Sequence, residues 1–425
     1  MALRPLPSPW NVYNLVGSPF FQETLESGDK TPRPLSLFVG RQAELKRLVD
    51  AIHGAGENSS RQAVAGSPGV GKTTLVKELK AIALDEGYLT ADEFVPIMAG
   101  DTAETLFGRV LGALYDTILA NRPHSGDAPA MQAAQVLVRV ARLGTGGASL
   151  SAFGFGAGVS KGTTVVAPKE ILIDGPRVMR DLMRLVRESD ARGALLHLDN
   201  LENLSESDAA RAAEILRDLR DLMLLHSGLH YVIAGTIDAV NIAVNTHQQI
   251  RSIVGTLLLE PLAIEDVHRM LQARYAHLRA DASAPLVPPV EDEAVAVLYR
   301  FFRGDLRGLL KALDDGVTPL IGLADTVARP LTTAELRPVL QQRYAAELAA
   351  LPEQARVEQL TRWGTTDPAG VQTQKSLGTL WKVTQPAVSG GLTYLVRQGY
   401  VQALPRSGGT PTQYVLSGVG RLIFG

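Results

Sequence analysis

Residues 66–73 read GSPGVGKT and fit the pattern GxxxxGK[ST]. A loop of this composition is suited to wrapping phosphate. Gly66, Gly69 and Gly71 let the backbone turn tightly enough for successive N–H groups to converge on phosphate oxygens. A helix N-terminus behind the loop adds a field that favours negative charge. Lys72 supplies a point charge for the β- and γ-phosphates, and the Thr73 hydroxyl is a donor for Mg. Pro68, Val70 and Thr74 complete the stretch expected to line the nucleotide. The chemistry implied is the binding of ATP with Mg.

Such a loop needs a carboxylate at the end of a neighbouring strand. The run ALLHLDN, 194–200, provides one in Asp199, the expected partner of Thr73 at the metal. The next residue is Asn200, and an amide cannot act as a base at neutral pH. Glu202, two residues on, is a substitute if its side chain points at the γ-phosphate; otherwise it is a solvated loop acid. His197 reads as a core histidine inside the strand.

These groups require a strand before the loop, a helix after it, and parallel strands alongside. Gln62–Ala65 has the apolar character of the first. Leu75, Val76, Leu79, Ile82 and Ala83 recur with helical period after it. Buried strands are expected at 94–100, 194–198, 231–234 and 256–259, with helices near 102–120, 176–188 and 207–223. Strands alternating with helices at this spacing specify a mostly parallel sheet covered on both faces. Residues 121–170 read as an insertion, with 142–166 as a Gly-rich hairpin. Helices dominate from 262 to about 350.

The order of these features resembles the AAA+ ATPases, in particular the initiator branch that includes the archaeal origin-recognition proteins. Phe38, Val39, Gly40 and Arg41, followed by Glu44, are similar to the box that packs on adenine in that family. Thr236, in HYVIAGT, matches the polar residue that senses the γ-phosphate. Arg251 matches the arginine that contacts a neighbouring subunit's nucleotide. Arg307, in GDLRGLLKAL, matches the lid arginine that reaches the phosphates. A planar, permanently charged guanidinium suits the spread charge of phosphoryl transfer. The resemblance implies an α/β fold: a P-loop AAA+ parallel sheet covered by helices, an all-α lid and a C-terminal winged-helix domain. It divides the chain into an irregular arm (1–36), an ATPase core (37–261), a helical lid (262–330), and linker helices with a winged helix (331–425). Arg251 implies self-association.

The last part has its own chemistry. Between 371 and 425 there is no Asp or Glu, against Lys375, Lys382, Arg397, Arg406 and Arg421. The whole chain carries −2, so the residues before 371 carry −7. A basic terminal module on an acidic body suits a polyanion partner. Thr373–Lys382 is expected as a supporting helix and Gln385–Arg397 as a recognition helix, with Leu392, Leu395 and Val396 facing inward. Two strands follow, at 400–403 and 413–416. Gln385, Ser389 and Thr393 would face base edges of duplex DNA. Lys375, Lys382, Arg397 and Arg406 would meet phosphates. Gly390 and Gly391 weaken this reading, since each costs a helix about 1 kcal/mol; a winged helix used for contacts with a partner protein is the alternative.

Composition narrows the rest. The 425 residues are 45% hydrophobic and 20% charged, ordinary for a globular chain of two or three domains. There is no cysteine, so disulfides and thiolate metal sites are excluded. The start lacks the pattern of a signal peptide, and no apolar run is long enough for a membrane span. A cytoplasmic protein without a membrane partner is expected. The leading function is an ATP-binding, slowly hydrolysing switch on DNA, in replication, transposition or mobile-element and defence control. The alternative is a STAND-type signalling ATPase whose winged helix makes protein contacts.

Overall fold

The computed structural model describes residues 8–26, 31–144, 171–321, 328–404 and 411–425. Its first half is built on parallel strands β1 (Arg61–Gly66), β2 (Tyr88–Leu89), β3 (Val95–Pro96), β4 (Gly193–Asp199), β5 (Leu229–Gly235) and β6 (Gly255–Leu259). The order is β2-β4-β5-β1-β6, and β3 also pairs with β4. β5 is buried along its whole length and β4 nearly so, which is why both read as continuous apolar runs. In register, Ala65 lies opposite Gly235, and Leu198 opposite Ile233. The C-terminal ends of β1, β4 and β5 therefore open on one edge, where ligands of open α/β sheets bind.

Helices α1 (Gln42–Ala55), α2 (Lys72–Asp85), α3 (Ala103–Asn121), α4 (Pro129–Gly144), α5 (Ile171–Glu188), α6 (Glu206–Asp218), α7 (Ile237–Asn245) and α8 (Gln248–Arg251) accompany the sheet. One expectation is corrected here. The second buried strand shrinks to Val95–Pro96, because Pro96 has no N–H to extend a ladder. The insertion proposed for 121–170 contains helix α4, whose Met131, Ala134, Val138 and Ala141 are buried against α3 and α5. A β-carbon on Gly108 of α3 would lie 2.8 Å from that of Ala141, so the contact is close. Most of the expected hairpin, 145–166, lies outside the described residues.

Helices α9 (Ile264–His277), α10 (Asp292–Phe301), α11 (Leu306–Ile321) and α12 (Thr333–Ala349) form a second core. The N-terminal arm enters that core rather than lying loosely on it: Trp10, Tyr13, Leu15 and Phe20 are buried there. Buried Arg274 of α9 donates to the Pro19 and Phe21 carbonyls at 3.1 and 2.8 Å and lies over the Phe21 ring. Burial pushes its guanidinium down to about 10. Lys77 of α2 donates to the Leu25 carbonyl, which ties the arm to the first half as well.

The third core surrounds α13 (Gln354–Thr366), α14 (Gln374–Trp381), α15 (Gln385–Arg397), strands β7 (Gln372–Thr373), β8 (Val401–Ala403) and β9 (Gln413–Leu416), and α16 (Gly418–Phe424). The strands form an antiparallel sheet ordered β7-β9-β8, a winged helix–turn–helix arrangement. Thr373 and Ser376 cap α14 reciprocally, and Lys382 ends it in the left-handed conformation. The inward face of α15 is Val388, Leu392, Tyr394 and Leu395; Val396, expected inside, is 39% exposed. Gly391 has a packing reason: a β-carbon there would sit 2.9 Å from Gln359 of α13. Among the described residues no helix is long and apolar enough to cross a membrane.

Candidate nucleotide site and terminal module

The loop after β1 takes the conformation its glycines permit. Gly69 and Gly71 have φ of +80° and +95°, a region closed to most side chains. Gly71 is the residue from which α2 starts, so the helix N-terminus faces the loop. Lys72 is 7% exposed, and its ammonium donates to the Gly66 and Ser67 carbonyls at 3.1 and 3.2 Å. It also lies 3.3 Å from the Glu202 carboxylate. Thr73 and Pro68 are exposed, Thr74 half-buried and Val70 buried.

Asp199 ends β4, and its Oδ1 accepts the Asn200 N–H at 2.7 Å. Burial raises its carboxyl above the usual range, partly offset by that hydrogen bond. His197 comes within 3.5 Å of Asp199, but burial pushes the imidazole down to about 3. The ring is neutral at neutral pH, and its Nε2 has no hydrogen-bond partner, so this approach is not an ion pair. Lys80 of α2 donates to the Ala91 and Glu93 carbonyls at 2.6 and 2.8 Å, fixing the chain that leads into β3 beside Asp199. Burial lowers that ammonium to about 8.

Thr236 follows β5 and caps α7, its hydroxyl accepting the Ala239 N–H at 3.3 Å. Arg307 stands in the first turn of α11 and is exposed. Asp305 caps that helix by accepting the Gly308 N–H at 3.1 Å, and burial raises its carboxyl. A β-carbon on Gly69 would overlap Asp305 and lie 3.5 Å from the Arg307 β-carbon. The lid helix therefore begins against the phosphate loop, a contact between residues more than 230 apart that no local pattern announces. Arg251 ends the short α8 with its side chain exposed.

The arginine of the box before the loop is held by the protein itself. Arg41 is 4% exposed and donates to the Val70 carbonyl (3.1 Å), the Glu260 carbonyl (2.5 Å) and Glu44 (2.8 Å). It fastens the loop to the end of β6. Gly40, at φ +82°, abuts Asp266 of α9, and half-buried Val39 packs on the lid core. A cleft of about 450 Å³ opens here between Gly40–Glu44 and Glu260–Ala263.

In the terminal module Lys375, Lys382, Gln385, Ser389, Thr393 and Arg397 are all exposed. Gln385 donates to Gln374 of α14 at 3.1 Å, and the Thr393 hydroxyl donates back to the Ser389 carbonyl. Arg406 lies outside the described residues. Phe302 joins this module to the lid: a β-carbon on Gly308 of α11, or on Gly418 of α16, would overlap its ring.

Residues 37–229 match the AAA ATPase domain family. A sequence comparison with curated proteins gives no match. Among solved structures the chain is similar to the Aeropyrum pernix ORC1 protein in complex with DNA, with 17% identity over 91% of this chain and 92% of that one and a TM-score of 0.44. Similar figures hold for Cdc6p from Pyrobaculum aerophilum, 14% identical over 95% and 97% with a TM-score of 0.40. Drosophila ORC bound to DNA is 15% identical over 99% and 94%, with a TM-score of 0.41. With a phosphate-wrapping loop after β1, an acid ending β4 and a family match spanning both, the chain is an ATPase carrying an AAA ATPase domain.

Proposed function

We propose that the chain is an ATP-gated, slowly hydrolysing switch that assembles with neighbouring subunits and engages duplex DNA through its winged helix. The observation that carries this reading is Phe302, packed between Gly308 and Gly418, because Gly308 follows the lid arginine and Gly418 starts α16 of the winged helix. A change at the phosphates reaches the terminal module through Phe302 together with the packing of α16 on α10 and α12. ATP lies with its phosphates on the N–H groups of 66–73 and on Lys72, with the base near Val39 and Gly40. Thr73 and Asp199, both oxygen donors at the loop's open edge, would hold Mg, whose few protein ligands and retained waters suit such a pair. Its charge would offset that of the phosphates.

Thr236 and Arg307 read the γ-phosphate, Thr236 from the end of β5 and Arg307 from the lid. Arg251, exposed at the end of α8, serves the nucleotide of an adjacent subunit. In this scheme ATP selects a conformation, and hydrolysis resets it. Gln385, Ser389 and Thr393 face bases, while Lys375, Lys382, Arg397 and Arg406 meet phosphates. The test is size-exclusion chromatography of the full chain with and without ATP and duplex DNA. ATP-dependent assembly on DNA is expected, and a monomer under every condition contradicts the reading.

A further inference from the structure

Asn200 stands where a water-activating acid is expected, and the structure shows what it does instead. Its φ is +79°, left-handed backbone that Asn tolerates and Glu does not favour. Its N–H is given to Asp199, its amide nitrogen reaches the Ile97 carbonyl at 3.5 Å, and its amide oxygen accepts from Asn203. The amide is thus turned toward the chain after β3 and used to shape the turn. That turn, Leu201–Asn203, buries Leu201 against Gly235. Glu202 arrives 3.3 Å from the Lys72 ammonium, with 40% of its side chain exposed.

We propose that Glu202 is the catalytic carboxylate of this ATPase, which orients the attacking water and accepts its proton. The inference rests on ATP lying between the loop 66–73 and Asp199. Lys72 marks the γ-phosphate, so a part-exposed carboxylate 3.3 Å from its ammonium is within reach of a water attacking that phosphate. The water oxygen forms the new bond to the γ-phosphorus as the bond to the β–γ bridging oxygen breaks. The electron pair leaves with ADP, the water proton passes to Glu202 and then to solvent, and inorganic phosphate is released. The αL residue and the short turn carry out what a longer side chain at 200 would do, from two positions later.

The experiment compares Glu202→Gln and Glu202→Asp with the unaltered full chain. It reads turnover, affinity for a fluorescent ATP analogue without Mg, and the identity of nucleotide retained after incubation with ATP. Glu202→Gln keeps the shape and removes the charge. Its kcat is expected to fall about 100-fold, the ordinary contribution of a general base. ATP affinity should hold or tighten, since a negative charge beside the phosphates is gone, and the retained nucleotide should be ATP. Glu202→Asp should fall between the two. Unchanged kcat in Glu202→Gln overturns the proposal. So does a parallel loss of kcat and ATP binding, which would make Glu202 a support of the loop. Lys72→Ala tests the underlying site separately: ATP binding that survives it places the nucleotide elsewhere, whatever Glu202 does.

Discussion

Gly69 of the phosphate loop and Asp305, the cap of α11, are in contact, so close that a β-carbon on Gly69 would overlap the carboxylate. The loop packs on the side chains that begin the lid helix, and Arg307 lies two residues beyond Asp305. A shift of the loop would therefore be felt at the start of the lid helix.

Gly69→Ala tests that relationship. The new methyl group meets both a left-handed backbone, at a cost of about 1–2 kcal/mol, and the Asp305 side chain. Thermal unfolding should show this loss, and ATP affinity should fall at least about tenfold as the lid is displaced. Wild-type ATP affinity would show that the contact is slack.

Phe302→Ala tests the next link. The ring is 5% exposed between Gly308 and Gly418, and its removal should cost about 3–5 kcal/mol if the site does not collapse. DNA affinity should become insensitive to ATP while ATP binding persists. Titration of a labelled duplex with and without ATP measures this.

Much of this arrangement is legible in the sequence, and what is not has physical reasons. β1, β4, β5, β6, α14 and α15 fall within a residue or two of expectation, since buried parallel strands are unbroken apolar runs and Thr373 marks a helix start. α4 escapes because its small residues, Ala134 and Ala141, resemble the Gly- and Ala-rich stretch that follows. The inward turn of Tyr394 in place of Val396 depends on how α15 meets α13, which periodicity over thirteen residues resolves only coarsely. Among the site residues, Lys72 and Asp199 come from the ends of β1 and β4, which flank β5 in the sheet, and Arg307 comes from the lid. The choice between a substitute base and a solvated loop acid for Glu202 is not legible in the sequence, because the turn that carries it follows the left-handed residue Asn200. The three hydrogen bonds by which Arg41 ties the loop to the end of β6 join distant segments and are not legible in the sequence.

His230 gives the fold a pH dependence. The ring is fully buried in β5, accepts the Ser60 N–H at Nδ1, and is pushed by burial down to about 4. Its folded value lies below the unfolded one of 6.5. Between those values the unfolded chain takes a proton that the folded chain refuses, so stability falls as pH drops from 6.5 toward 4. Denaturant unfolding should show a loss of about 2 kcal/mol over that window. His230→Asn, which keeps an acceptor for Ser60, should shrink the loss without abolishing it, because His197, pushed by burial down to about 3, contributes over the same window; an unchanged profile would assign the dependence to other groups.

Arg251→Ala should reduce turnover only at concentrations where subunits associate. Turnover measured across a dilution series checks this, and a loss independent of concentration would place Arg251 at its own subunit's nucleotide.

The central claim is that ATP at the loop 66–73 controls the winged helix's hold on duplex DNA. Anisotropy of a labelled duplex, titrated with the full chain with and without ATP at two salt concentrations, tests it most directly. ATP should tighten binding at least about tenfold, and affinity should drop steeply with salt. Lys382→Ala and Arg397→Ala should each reduce the salt slope by about one. Affinity that ignores ATP, or no binding to duplex even at low salt, would contradict the account.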